Sequence, residues 1–156
     1  MIQFFDVDDK YTTYLQSIDR QVPNIKYTSN NKFVCGIVLQ INGFDYVAPI
    51  SSKTNKQRTN ILIYNGSQVL SSIKFSFMFP ANSSVLTYKD IHKIGLVNRH
   101  YANLMQMELL YCQAHEAEIH NKAQMVYNIG CNKDHPLYYT CCDFKALEEA
   151  SLKYTV

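Results

Sequence analysis

The order of the segments predicts an α+β fold, a curved antiparallel sheet with helices packed on it. Two observations carry this expectation. Apolar, β-rich runs punctuated by Asn42-Gly43 and Asn65-Gly66 occupy the chain from Phe33 to Phe79. After Pro80 the pattern becomes helical, and Tyr101, Met105, Leu109, Cys112, Ile119, Ala123 and Val126 share one face of a long helix over residues 99–127. No internal repeat, low-complexity tract or linker divides the 156 residues, which read as one domain, 1–156.

Taken in order, Ile2–Val7 reads as a short strand. Asp8 or Asp9 can cap a helix whose apolar face is Tyr11, Tyr14, Leu15 and Ile18. Pro23-Asn24 ends that unit, and residues 24–32 form a polar, basic loop. Phe33–Ile41 and Phe44–Ile50 make a hairpin around Asn42-Gly43, the preferred type I′ pair. Loop 51–59 leads to a strand at Ile61–Tyr64, and residues 68–79 make one long or two short strands stopped by Pro80. Thr87-x-x-Asp90 resembles a capping box before a short helix. Gly130 ends the long helix, and Asp143 opens a last one carrying Phe144, Leu147 and Leu152.

Composition bounds the function. Apolar residues make up 47% of the chain, an ordinary share for a globular protein. No apolar run reaches the length of a membrane span, and Asp6, Asp8 and Asp9 come too early for a signal peptide. A cytoplasmic location without membrane contact is expected. Five cysteines, an odd number without C-x-x-C spacing, read as reduced thiols. Cys131, His135, Cys141 and Cys142 lack the paired spacing of a zinc site. His115 and His120 stand at i, i+5, roughly 140° apart on a helix, so they do not share a metal as H-E-x-x-H does. Neither G-x-x-x-x-G-K-[ST] nor G-x-G-x-x-G occurs. No metal or cofactor is expected.

Charge is more informative. From Arg20 to Lys89 the only acid is Asp45, against eight cations: Arg20, Lys26, Lys32, Lys53, Lys56, Arg58, Lys74 and Lys89. The net charge of +2 hides this one-signed region, which points to a polyanionic partner. Within it, the strand Tyr46-Val47-Ala48-Pro49-Ile50 runs into Ser51-Ser52-Lys53, and more basic and amide residues follow to Arg58. Adjacent hydroxyls beside a lysine can hold a phosphate. A region without acids does not hold Mg²⁺, which leaves metal-free chemistry on a phosphodiester. RNA carries its own nucleophile, the 2′-hydroxyl. The protein then aligns that oxygen with phosphorus and stabilises charge on the non-bridging oxygens. Ser51, Ser52 and Lys53 can do this, and the hairpin would bring Lys32 to the same end. A non-catalytic RNA-binding module using the same basic face is the alternative.

Several motifs add a resemblance. Lys10-Tyr11, Tyr14-Leu15, Val22-Pro23-Asn24, Gly36-Ile37-Val38, Tyr46-x-Ala48-Pro49-Ile50-Ser51-Ser52, Phe77-Met78-Phe79-Pro80, Cys142-Asp143-Phe144 and Leu147-Glu148-Glu149 follow one another along nearly the whole chain. In this the sequence resembles the ToxN/AbiQ endoribonucleases, toxins of bacterial type III toxin–antitoxin systems. The resemblance implies a barrel-like twisted β core similar to MazF/Kid toxins. It also implies toxic, metal-independent cleavage of cellular or phage RNA through the 2′-hydroxyl, and a role in phage defence. The expected partner is a small structured antitoxin RNA, encoded as repeats, which the toxin processes and which inhibits it within a protein–RNA oligomer. The family's hydroxyl pair falls on Ser51 and Ser52, its lysine before the hairpin on Lys32, and its N-terminal helix tyrosine on Tyr11. The family's proline and lysine after the hydroxyl pair are replaced by Lys53 and Thr54, so either Lys53 or Lys56 takes the loop lysine's role. The predicted catalytic residues are Ser52, Ser51, Lys32 and Lys53. The predicted RNA-binding residues are Tyr11, Lys26, Tyr27, Lys56, Arg58 and Lys74.

Overall fold

A computed structural model describes residues 2–23 and 34–155, with backbone pairing alone for 34–38. The N-terminal strand is shorter than its apolar pattern: β1 covers Phe5–Val7, while Ile2 and Phe4 still reach the core. Asp8 caps α1, Asp9–Ile18, by accepting from the Lys10 N–H. Tyr11 and Leu15 are buried as the periodicity predicts, but Ile18 on the last turn is exposed.

The hairpin forms as expected. Strands β2, Val34–Ile41, and β3, Phe44–Ser51, pair from Ile41↔Phe44 to Val34↔Ile50. Asn42 and Gly43 both take positive φ, at 54° and 78°, which a type I′ turn requires. The second hairpin joins β4, Asn60–Asn65, to β5, Gln68–Lys74. Its turn is Gly66-Ser67, one residue later than the Asn-Gly pair indicates. Gly66 alone carries positive φ, 61°, as a type II′ turn needs at its first central position. Beyond Lys74 the chain breaks into a 3₁₀ turn at Phe75–Phe77, and β6, Phe79–Pro80, follows.

The sheet runs β2-β3-β5-β4, all antiparallel, with β6 also on β3. Strand β3 sits at the centre: β5 pairs with its end at Ile50 and Ser51, and β6 pairs with its start at Tyr46 and Val47. Register shifts at Gly36/Val38 and Ile63/Tyr64 add local twist, and the sheet curls into a half-barrel. Strand β7, Leu86–Tyr88, pairs with β1 in a separate ribbon.

Thr87 lies in β7 and opens no capping box. Asp90 is itself the cap of α2, Ile91–Val97, accepting from the Lys93 N–H. The long helical pattern is two helices, α3 at Arg99–Ala114 and α4 at Glu116–Gly130. His115 leaves helical geometry between them, with φ −117° and ψ 29°. Its imidazole stacks on Tyr111 at 3.9 Å, and Nδ1–H donates to the Tyr111 carbonyl at 2.8 Å. That side-chain bond competes with the backbone ladder and marks the break. The buried face continues across it through Met105, Leu109, Cys112, Ile119, Ala123 and Val126. Asp143 caps α5, Phe144–Lys153, whose Phe144 and Leu147 are buried while Leu152 is exposed.

The core between sheet and helices is organised around Tyr46. Its ring meets Tyr127 and Phe144 edge-on, at 5.8 and 6.0 Å. Glu148, buried on α5, accepts from Tyr46 Oη at 2.6 Å, Tyr127 Oη at 2.7 Å and Asn42 Nδ2 at 3.2 Å. Lys145 Nζ lies 3.8 Å from the same carboxylate. These partners satisfy a charge that burial would otherwise make costly. They also tie the first hairpin to α4 and α5, so the strand that delivers the site is fixed from behind.

Candidate active site

Strand β3 is buried from Tyr46 to Ser51, and exposure begins abruptly at Ser52. The sheet therefore presents the loop at a fixed point. Ser51 is 7% exposed, pairs with Ser72 across the sheet, and its Oγ accepts from the Lys53 N–H at 3.2 Å. Ser72 Oγ donates to the Lys53 carbonyl at 2.7 Å. The two serines clamp the backbone on either side of Lys53. Ser52, the residue between Ser51 and Lys53 in the chain, is exposed. The predicted hydroxyl pair is thus divided in role: Ser51 holds the turn and Ser52 faces the solvent.

The rest of the loop is equally fixed. Asn60, 3% exposed, donates from Nδ2 to the Asn55 carbonyl and accepts from the Gln57 N–H, both at 2.9 Å. Lys122 of α4 donates to the Arg58 carbonyl at 3.3 Å. Such a loop presents its side chains without first having to be ordered.

Lys53, Lys56 and Arg58 are exposed along it. Lys74 differs, for it is 7% exposed and its ammonium donates to Gln57 Oε1 at 3.1 Å. No carboxylate stands within ion-pair distance of it among the described residues. Burial, and then the positive charge of Lys53, push the Lys74 pKa down. A cleft of about 390 Å³ opens here, lined by Lys53, Arg58, Lys74, Gln57, Phe77 and Leu137 among others, with no acid among the described residues of its wall. Its size is that of an ordinary small-molecule site, roughly 300–1,000 Å³. The chemistry of the wall fits a phosphate-bearing ligand, and its described residues supply no carboxylate for a divalent cation.

The structure thus brings Ser51, Ser52, Lys53, Lys74 and Arg58 to one edge of the sheet, with Lys56 on the same loop. Tyr11 is not available to RNA: it is 2% exposed, and its hydroxyl donates to the Pro80 carbonyl at 2.5 Å. Desolvation raises its pKa strongly, and its ring packs on Tyr154 at 5.0 Å. Its role is to join α1 to the end of β6. Lys26, Tyr27 and Lys32 lie outside the described residues. Sequence reasoning missed Phe77 and Leu137 as cleft residues. Phe77 reads as part of a strand, and Leu137 is a neutral residue far along the chain with nothing to mark it.

Among the described residues, no three or more His, Cys, Asp or Glu side chains are grouped to hold a metal. Cys112, Cys131, Cys141 and Cys142 are free thiols. No helix there is long and apolar enough to cross a membrane.

Comparison with known proteins places this geometry in context. The chain is 26% identical to the endoribonuclease ToxN of Bacillus thuringiensis subsp. kurstaki, covering 97% of this chain and 84% of that protein. It is 28% identical to the endoribonuclease AbiQ of Lactococcus lactis subsp. lactis, covering 99% and 90%. Its fold superposes with a TM-score of 0.88, at 26% identity over 98% of this chain and 97% of the other, on a bacterial type III toxin selectively inhibited by a non-coding RNA pseudoknot. A solved structure of AbiQ, a lactococcal anti-phage endoribonuclease of a type III system, matches with a TM-score of 0.79 at 27% identity, covering 98% of each chain. Residues 3–152 match the model of the toxin ToxN of type III toxin–antitoxin systems, and the chain belongs to that family.

Proposed function

We propose that this protein is a toxic endoribonuclease of a type III toxin–antitoxin system and that it cuts RNA at Ser52 without a metal ion. The 2′-hydroxyl gives its proton to solvent as its oxygen attacks the adjacent phosphorus, the phosphorus–O5′ bond breaks as O5′ takes up a proton, and the products are a 2′,3′-cyclic phosphate and a 5′-hydroxyl. Ser52 donates a hydrogen bond to a non-bridging oxygen as charge builds there. Lys53 neutralises that charge, and Ser51 holds the turn that aims both. The family resemblance adds Lys32 to this set as a further cation for the phosphate. The observation that carries this reading is the hydroxyl-and-cation edge itself: an exposed serine on a clamped backbone beside an acid-free, cationic cleft.

The same face accounts for inhibition. A structured antitoxin RNA, cut from its repeat transcript by the toxin, occupies the basic loop and blocks the site within a protein–RNA oligomer. The relatives named above as endoribonucleases, and the RNA-inhibited toxin of the same fold, support both halves. Action on cellular or phage RNA in the cytoplasm follows from this role.

Expression in a bacterium tests it. Wild type should arrest growth, co-expression of the repeat RNA encoded beside the gene should relieve the arrest, and Ser52→Ala should be tolerated. A wild-type chain tolerated at full expression without the RNA would mark a binding module instead.

A further inference from the structure

Gln57 does something that cleavage at Ser52 does not require. Its side-chain oxygen accepts from Lys74 Nζ at 3.1 Å. An ammonium only donates, so the amide is oriented: oxygen on Lys74, NH₂ pointing elsewhere. The backbone N–H of Gln57 is pinned to Asn60 Oδ1 at 2.9 Å, which fixes where the amide starts from. Nε2 has no hydrogen-bond partner among the described residues. The cleft wall therefore includes a residue whose donor is held in one orientation and has no partner among the described residues. The half-buried Phe77 and Leu137, an aromatic and an aliphatic side chain, line the same cleft, and Lys53 stands at its wall next to Ser52 in sequence. An aromatic ring, one oriented donor and a nearby cation are the parts that bind a nucleotide by stacking, edge recognition and phosphate contact.

We infer that this cleft reads one base of the substrate RNA next to the scissile linkage. The base lies against Phe77 and Leu137 and accepts a hydrogen bond from Gln57 Nε2, and Lys53 meets its phosphate. Lys74 is a positioning residue: it touches the base only through Gln57, whose amide it prevents from turning over. The ligand is a nucleotide whose facing edge presents an acceptor, such as a ring nitrogen or carbonyl oxygen. A base presenting an amino group at that edge is rejected. This inference rests on the endoribonuclease reading and adds the residue that sets its sequence preference.

The test is cleavage of an RNA library randomised at all positions, with the cut ends mapped for wild type, Gln57→Glu and Lys74→Met. Gln57 is exposed, so its substitution leaves the fold intact. Glutamate keeps a partner for Lys74 but turns the donor into an acceptor. It should change the base preference at a single position by about tenfold, the scale of one good base contact. Lys74→Met frees the amide to flip and should relax the preference at that same position. Unchanged preference in both variants, or a uniform slowing with no change in preference, overturns the inference while leaving the ribonuclease reading standing. A wild-type chain that cuts nothing in the library overturns both.

Discussion

Ser52 and Ser51 are adjacent hydroxyls with different work, and substitution should separate them. Ser52 is exposed and makes no hydrogen bond that holds the loop among the described residues, so Ser52→Ala should fold normally and bind RNA. Its cleavage rate should fall roughly 10²–10³-fold, the usual loss for one transition-state donor. Ser51 clamps the Lys53 N–H, so Ser51→Ala should weaken substrate binding as well as rate. Single-turnover kinetics on both variants reads the difference. The cations that line the candidate cleft were legible in the sequence because lysines and arginines without acids form a signal that does not depend on folding. Gln57 was visible only as one more amide in a basic loop, because its meaning comes from Lys74 across the sheet. Tyr11 shows the opposite case. The apolar spacing of α1 pointed it into the core, the family resemblance pointed it at RNA, and its buried bond to Pro80 decides for the core.

At the scale of elements, the C-terminal helices fit by a close approach that only glycine allows. A Cβ at Gly130 would lie 2.3 Å from the Phe144 ring and 3.1 Å from Cys141 Cβ. Phe144 is fully buried and stacked on Tyr127 at 5.5 Å, so it has little room to withdraw. Gly130→Ala should cost about 1–3 kcal/mol, an overpacking penalty, read as a lower urea midpoint at unchanged m-value. The sequence identified Gly130 as a helix end, and α4 does end there. Its packing role was hidden because the partner, Phe144, belongs to another helix. The break at His115 was hidden for a related reason. Cys112 and Ile119 sit seven residues apart on one continuous face, so the periodicity runs through the interruption. The first hairpin was fully legible because Asn-Gly specifies its turn locally. The second slipped by one residue because Asn65-Gly66 also permits a turn with Gly66 at its first central position.

For the whole molecule, the buried phenols and thiols make alkaline pH destabilising. Burial pushes the Cys112 thiol from 9.0 up to about 12. Burial likewise raises Tyr11 and, with the Glu148 carboxylate beside them, Tyr46 and Tyr127. The folded chain keeps these protons where the unfolded chain has released them. Stability from this source is therefore full below the ordinary values of 9.0 and 10.0 and is lost as pH rises from there towards the folded values. Each such group contributes a slope of at most ~1.4 kcal/mol per pH unit. The melting temperature should be flat from pH 7 to 8.5 and fall steeply by pH 11. The one-signed basic face acts at the same scale. Log affinity for RNA should fall with log salt by about 0.7 per phosphate neutralised, and Lys56→Ala should remove a little under one unit of slope. The central claim, an acid-free edge that cuts RNA with the substrate's own 2′-hydroxyl, is tested most directly on a matched pair of RNAs in EDTA. One is all-ribo, and the other carries a single 2′-deoxynucleotide at the scissile position. The account predicts cleavage of the first to a 2′,3′-cyclic phosphate and binding without cleavage of the second, whereas cutting of the deoxy substrate, or a strict need for Mg²⁺, would contradict it.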